Sequence, residues 1–98
     1  MSQQKLTIAA QITVKEESVD LVKSELLKLI DITRRQEGCI NYDLHQDNSK
    51  SNCFLLYEKW ESPEFLQKHL GNLYLAEYLK ATEGAVKEVV IHEMTQIA

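Results

Sequence analysis

Hydrophobic and polar positions change their period several times along this chain. From Leu6 to Val14 the period is two: Leu6, Ile8, Ala10, Ile12 and Val14 alternate with Thr7, Ala9, Gln11 and Thr13. That rhythm, rich in β-branched residues, predicts a strand. It then gives way to steps of three and four. Val19, Val22, Leu26, Leu29 and Ile30 share one face of an amphipathic helix spanning roughly residues 18 to 36. Ser18 stands where a cap is expected, and Asp20 in the first turn suits the positive end of the helix dipole. Arg34 and Arg35 suit the negative end, and Gly38 is placed to stop the helix.

Alternation returns at Ile40 to Gln46 and again at Cys53 to Trp60. The polar cluster Asp47-Asn48-Ser49-Lys50-Ser51-Asn52 between them predicts a β-hairpin. Ser62-Pro63-Glu64 is a helix start, with a capping serine, proline at the first helical position and then an acid. That helix ends near Gly71. Asn72 can cap a second short helix carrying Leu73, Leu75, Ala76 and Leu79, which stops before Gly84. Val86 to Ile97 is β-rich. The order is strand, helix, strand, strand, helix in two pieces, strand. This βαββαβ order predicts an α+β, ferredoxin-like antiparallel sheet with helices on one face, in a single domain over residues 1–98. The other face needs a cover, and a second copy of the sheet is the simplest one. A homodimer forming an α/β barrel, centred on Ile40, Tyr42, Leu44, Leu55 and Tyr57, is therefore expected.

Composition narrows the classes. The chain has 98 residues, 44% of them hydrophobic, and a net charge of −4. With no basic stripe, a nucleic-acid partner is not expected, nor is an anionic membrane surface. No apolar run approaches the ~20 residues of a membrane span, and the first residues lack a signal peptide's apolar core. Cys39 and Cys53 make neither a disulfide framework nor a zinc site, so a cytoplasmic location is the default expectation. No Gly-rich phosphate loop is present. No spacing suits a metal, beyond an adventitious pair of His45 and Asp43.

Three stretches carry a resemblance. Glu37-Gly38-Cys39-Ile40-Asn41-Tyr42-Asp43-Leu44-His45-Gln46-Asp47, then Tyr57-Glu58-Lys59-Trp60-Glu61-Ser62, then His69-Leu70 resemble the antibiotic-biosynthesis-monooxygenase family. The resemblance runs from about Leu6 to the C-terminus. It implies the dimeric ferredoxin-like fold. The family's known activities include cofactor-free oxygenation of quinols and polyketides, haem degradation, and isomerisation of a phosphorylated sugar, so the fold alone does not choose among them. Trp60 and His45 match the polyketide-oxidising members, whereas Leu56 and Leu66 replace their Asn and Tyr. Leu79 stands where haem-degrading members place the axial His. Asn72-Leu73-Tyr74 lacks the second His of the sugar-phosphate isomerase. The resemblance thus disfavours haem, and with no nucleotide-phosphate loop and no metal-ligand spacing, chemistry without a cofactor is expected.

Site candidates follow from the hairpin. A six-residue turn at 47 to 52 sets Asn41 opposite Glu58, Asp43 opposite Leu56 and His45 opposite Phe54. Asn41, Asp43, His45, Glu58 and Trp60 would then face the helices, with Ile40, Tyr42, Leu44 and Tyr57 on the other side. Polar groups on a dry face need partners or a ligand. His69, on the helix after the hairpin, joins them. Either His69 or His45 is a candidate base, because imidazole titrates near neutrality. Asn41 and the Trp60 indole N–H are candidates to hold an oxygen, Glu58 is a further polar contact, and Phe54, Leu56, Leu66 and Leu73 would line a slot. Each also has a purely structural reading: Trp60 as core, Glu58 paired with a cap or a lysine, His69 as a satisfied core histidine. The expected activity is cofactor-independent oxidation of a quinol or other electron-rich aromatic by O₂. The rivals are a non-catalytic small-molecule-binding or stress-response module and a small-molecule isomerase.

Overall fold

The computed structural model describes residues 5–98. The elements are β1 (Leu6–Val14), a 3₁₀ turn (Glu16–Ser18), α1 (Val19–Thr33), β2 (Cys39–Gln46), β3 (Cys53–Trp60), α2 (Pro63–Leu70), α3 (Leu73–Ala81) and β4 (Val86–Met94). The four strands form one antiparallel sheet in the order β2-β3-β1-β4. Each helical segment crosses between two strands that run the same way with a third between them. This is the ferredoxin-like α+β sandwich that the element order predicts.

The core lies between one sheet face and the helices. Ile8, Ala10 and Ile12 of β1, Phe54, Leu56 and Trp60 of β3, and Val22, Leu26, Leu29 and Ile30 of α1 are buried there together. The apolar stripe of α1 supplies its inner face, as the spacing requires. Neither Ser18 nor Ser62 makes a side-chain capping bond, whereas the Asn72 side chain accepts from Tyr74 N–H at 2.8 Å. Gly38 has φ +85°, and a Cβ built there would overlap Cβ and the ring of Phe65. Two demands therefore meet at one residue: a left-handed turn into β2, and room for the ring that seats α2 beside it.

The hairpin register differs from the expected one. Tyr42 pairs with Glu58, Leu44 with Leu56 and Gln46 with Phe54. The cause sits in the turn. Asp47 N–H still pairs with the Cys53 carbonyl at 2.9 Å, so Asp47 closes the ladder. Its carboxylate at the same time accepts from the N–H groups of Ser49 and Lys50. These two bonds hold the Asp47 carboxyl below its usual range. The turn is therefore one residue shorter than composition suggests, and a one-residue slip exchanges the faces of a strand. Ile40 absorbs the difference as a bulge, because Cys39 pairs with Trp60 and Asn41 with Lys59. Tyr42 and Leu44 hence turn toward the helices. Asn41, Asp43 and His45 turn to the open face beside Lys59, Tyr57 and Leu55.

Cys39 and Cys53 are free thiols at opposite ends of the hairpin. No helix among the described residues is long and apolar enough to cross a membrane.

Candidate functional site

A cavity of about 440 Å³ opens between the sheet and the helical layer. Its floor is a grid set by strand register. One row across the sheet is Tyr42, Glu58, Ile8 and Glu93; the next is Leu44, Leu56, Ala10 and Ile91. Of these, Tyr42, Glu58, Ile8, Glu93, Leu56, Ala10 and Ile91 line the cavity. Leu66 and His69 of α2, Leu75 and Tyr78 of α3 and Leu29 of α1 form the opposite walls. The lining is mostly apolar, the usual make-up of a small-molecule pocket, with Thr82, Glu83 and Glu93 toward the α3–β4 side and Tyr42, Glu58 and His69 gathered at the β2–β3 side.

Those polar groups are tightly coupled. His69 is only 3% exposed, and its Nε2 lies 3.4 Å from the Tyr42 hydroxyl. Its Nδ1 lies 3.1 Å from Oε1 of Gln36, just beyond α1. An amide oxygen can only accept, so with this oxygen facing it Nδ1 carries the proton. Nε2 then accepts from Tyr42 O–H. Burial pushes His69 down to about 4, which keeps the imidazole neutral at physiological pH. Burial first, then the Glu58 carboxylate, pushes the Tyr42 phenol up. Trp60 packs its indole against the His69 ring, 4.9 Å between centroids, and against Tyr42 at 6.3 Å.

Glu58 is 6% exposed. The Trp60 indole N–H donates to its Oε1 at 3.0 Å. Burial pushes Glu58 up to about 7, against the indole hydrogen bond, which lowers it. Burial and the same carboxylate push the nearby Cys39 thiol up to about 11, so it is protonated and a poor nucleophile at neutral pH.

The structure brings together Glu58, Leu56, Leu66 and His69 from the expected set, and adds Tyr42, which alternation alone places on the wrong side. Trp60 is fully buried behind the cavity wall, with its N–H given to Glu58 and not to the chamber. Phe54 is a core residue at the hairpin end. Asn41 and His45 lie on the open face, moved there by the register slip. His45 is exposed and, with Phe54, borders a separate hollow of about 420 Å³ beside the turn. Leu73 is 70% exposed and lines no part of the chamber, because α3 turns Leu75 and Tyr78 inward instead. Tyr78, Thr82 and Glu93 also line the chamber; their signal is the α3 spacing and the β4 alternation.

Of the three histidines only His69 lines the cavity, and both its nitrogens are engaged. Leu79, also in the lining, has no donor atom. The cavity therefore offers no free histidine to ligate a haem iron. Among the described residues no cluster of three or more His, Cys, Asp or Glu is arranged to hold a metal ion.

Comparison with known proteins agrees with this architecture. A Pseudomonas aeruginosa protein of known crystal structure superposes with a TM-score of 0.94 and 28% identity, covering 100% of this chain and 99% of that one. A crystal structure described as an antibiotic biosynthesis monooxygenase superposes with a TM-score of 0.89 at 22% identity, covering 95% and 99% of the two chains. The Bacillus subtilis protein named "Putative monooxygenase YcnE" is 31% identical over 64 residues, 65% of this chain and 67% of that protein. An uncharacterised Synechocystis protein is 27% identical over 75 residues; the match covers 76% of this chain and 51% of that longer relative. The family description "Antibiotic biosynthesis monooxygenase" matches residues 6–89, nearly the whole sheet and all the helices. The chain belongs to the antibiotic biosynthesis monooxygenase family.

Proposed function

We propose that this protein is a cofactor-independent monooxygenase acting on a quinol or another electron-rich aromatic hydroxy compound, and that it works as a homodimer. The observation that carries the reading is the cavity itself. An apolar chamber of about 440 Å³ has room for a small aromatic ring and meets a buried polar cluster of Tyr42, Glu58 and His69 on one side. A ring excluded from water, with hydrogen-bonding groups at its oxygen, is what such a reaction requires. An electron-rich aromatic supplies its own reducing equivalents. Quinol and O₂ give a hydroxyquinone and water: one oxygen atom enters the ring, the other leaves as water, and the substrate provides all the electrons. The protein's task is to bind the ring, take a proton from a hydroxyl so that electron density rises, and exclude water. Tyr42, held by neutral His69, is placed to position the ring oxygen. Leu56, Leu66, Ile8 and Tyr78 enclose the ring.

A rival reading draws on the same geometry. The Trp60 N–H and both His69 nitrogens already have partners inside the protein, as in a satisfied binding pocket without chemistry. Oxygen consumption measured over a panel of quinols and naphthols separates the two. Monooxygenation predicts uptake of one O₂ per substrate, with one labelled atom from ¹⁸O₂ in the product. Tight binding without uptake would favour the binding module, and neither binding nor uptake would remove the aromatic reading.

A further inference from the structure

Resting on the aromatic-hydroxyl reading above, we propose that Glu58, and not a histidine, is the group that takes the proton from the bound ring's hydroxyl. The O–H bond of the ligand breaks and an O–H bond forms on Oε2 of Glu58. The negative charge passes from the carboxylate to the aryl oxygen and spreads into the ring. No oxidant enters this step, and the net charge of the cavity with its ligand is the same before and after it.

Three observations on the molecule carry this. First, the carboxylate is held but not used up. The Trp60 indole fixes Oε1 at 3.0 Å, and Oε2 has no hydrogen bond among the described residues, although Glu58 lines the cavity and is almost wholly withdrawn from outside solvent. A free acceptor in that position is satisfied by what enters the chamber. Second, the imidazole is used up. His69 accepts from Tyr42 at one nitrogen and faces the Gln36 amide oxygen with the other, so taking up a proton would break its bond from Tyr42. His69 is a positioning residue that acts through Tyr42. Third, no lysine or arginine lines the cavity. An anionic ligand would meet Glu58, Glu83 and Glu93 with no counter-charge, so the chamber selects a neutral ring that carries its own proton.

The surroundings of Glu58 suit the task. Tyr42 and Cys39 face it from β2, His69 from α2, Tyr78 from the α3 wall and Glu93 from β4 beyond Ile8, while α1 contributes apolar Leu29. None of these is positively charged at neutral pH. Burial therefore raises the carboxyl toward neutrality, where a base is both ionised often enough and strong enough to act.

A nitrophenol tests the proposal without O₂ chemistry, because its phenolate absorbs at longer wavelength than the neutral phenol. With wild type at neutral pH, the bound probe should show the phenolate band in excess of the free probe at the same pH. Glu58→Gln keeps an oxygen for the Trp60 N–H but cannot take a proton. It should bind the probe within a few-fold and leave it neutral, and quinol turnover should fall by ~10²-fold or more. His69→Gln should retain the phenolate band. The wild type offers a second measurement should Glu58→Gln fail to fold. Trp60 is the sole tryptophan, and its fluorescence should titrate with a midpoint near that of Glu58. Saturating nitrophenol should move this midpoint upward by more than one pH unit, since the bound phenolate keeps Glu58 protonated. A bound probe equally neutral, or equally anionic, in wild type and Glu58→Gln would overturn the assignment while leaving the aromatic site standing, as would a Trp60 midpoint that stays put. No binding of any phenol to wild type would remove the site reading and the assignment with it.

Discussion

Glu58 and His69 share one cavity wall, and burial moves their titrations in opposite directions. Glu58 is pushed up to about 7 and His69 down to about 4. Each shift is also a statement about stability. Between about 4 and 6.5 the unfolded chain holds a proton on His69 that the folded chain lacks, so stability rises with pH. Between about 4.5 and 7 the folded chain holds a proton on Glu58 that the unfolded chain has released, so stability falls with pH. Each slope is about 1.4 kcal/mol per pH unit at most, and over the shared window they oppose each other. These two residues together should therefore leave stability nearly flat from about pH 4.5 to 6.5, with a loss above that window as Glu58 alone ionises and a loss below it, toward pH 4, as His69 alone changes protonation between the two states. Single variants unmask the terms. Relative to wild type, Glu58→Gln should gain stability as pH rises through 4.5 to 7, and His69→Gln should lose it as pH rises through 4 to 6.5. Urea unfolding at half-unit pH steps measures both; parallel curves for wild type and variants would mean the two groups are not shifted. His69→Ala at fixed pH should cost ~1–3 kcal/mol, because Tyr42 and Gln36 lose a buried partner and the Trp60 ring loses its neighbour.

At the scale of elements, the hairpin decides which residues meet the cavity, and two short signals decide the hairpin. Asp47 closes the turn with its carboxylate while its N–H still belongs to the ladder, and Ile40 bulges out near the other end. The existence and order of the strands and α-helices are legible in the chain, since period and punctuation are local properties; their ends are less so, α1 stopping at Thr33 and β4 at Met94, short of the expected 36 and 97, and the 3₁₀ turn at Glu16–Ser18 leaving no periodic signal. Glu58, Leu56, Leu66 and His69 are legible as cavity-facing residues for the same reason: three obey the β3 or α2 spacing, and His69 stands on the inner face of α2. Tyr42, Asn41 and His45 are not, because their facing depends on whether Asp47 counts as turn or strand. A period of two turns that single-residue ambiguity into a complete exchange of faces. The bulge restores the simple register at Cys39 and Trp60, so the hairpin entry follows the expectation even though the strand beyond it does not. Gly38 ties this entry to α2. Gly38→Ala would need both a positive φ for alanine and a Cβ overlapping the Phe65 ring. It should destabilise by about 2 kcal/mol or more. Adding Phe65→Ala removes the ring but keeps the Cβ of residue 65, which also crowds position 38, so it relieves part of the overlap and none of the φ strain; in the Phe65→Ala background Gly38→Ala should still cost less than it does in wild type. Thermal unfolding of the four proteins gives the coupling, and strict additivity would show that the ring does not set the constraint.

For the whole molecule, the open face of the sheet poses the remaining question. The register places Ala9, Gln11, Leu55, Tyr57, Asn41, Asp43, Val90, His92 and Met94 on that side, with Tyr42 and Leu44 removed from it. It is more mixed than alternation alone suggests, yet an apolar band of Leu55, Tyr57, Val90 and Met94 crosses it. Val90 and Met94 are exposed in the single chain, and Leu55 and Tyr57 are half-buried. On β4, Val89 and Ile91 are exposed on the other side as well, at the lip of the cavity. An edge strand bare on both faces with this many apolar residues is a surface that monomers rarely keep. A second copy seated on the open face would bury the band, and the polar residues around it suit a rim. The proposed homodimer is thus centred on β3, β1 and β4, not on β2. Light scattering of the wild type at micromolar concentration should give twice the chain mass of 11.3 kDa. Leu55→Lys, which sets a charge in the middle of the band, should give a monomer or an aggregate. Tyr42→Lys cannot serve as that test, because Tyr42 belongs to the core. His45→Lys, at the periphery of the face, should leave the mass doubled. A wild type that is monomeric across this concentration range would refute the dimer. A dimer that survives Leu55→Lys unchanged would put the contact elsewhere, with the exposed edge of β4 the next surface to probe.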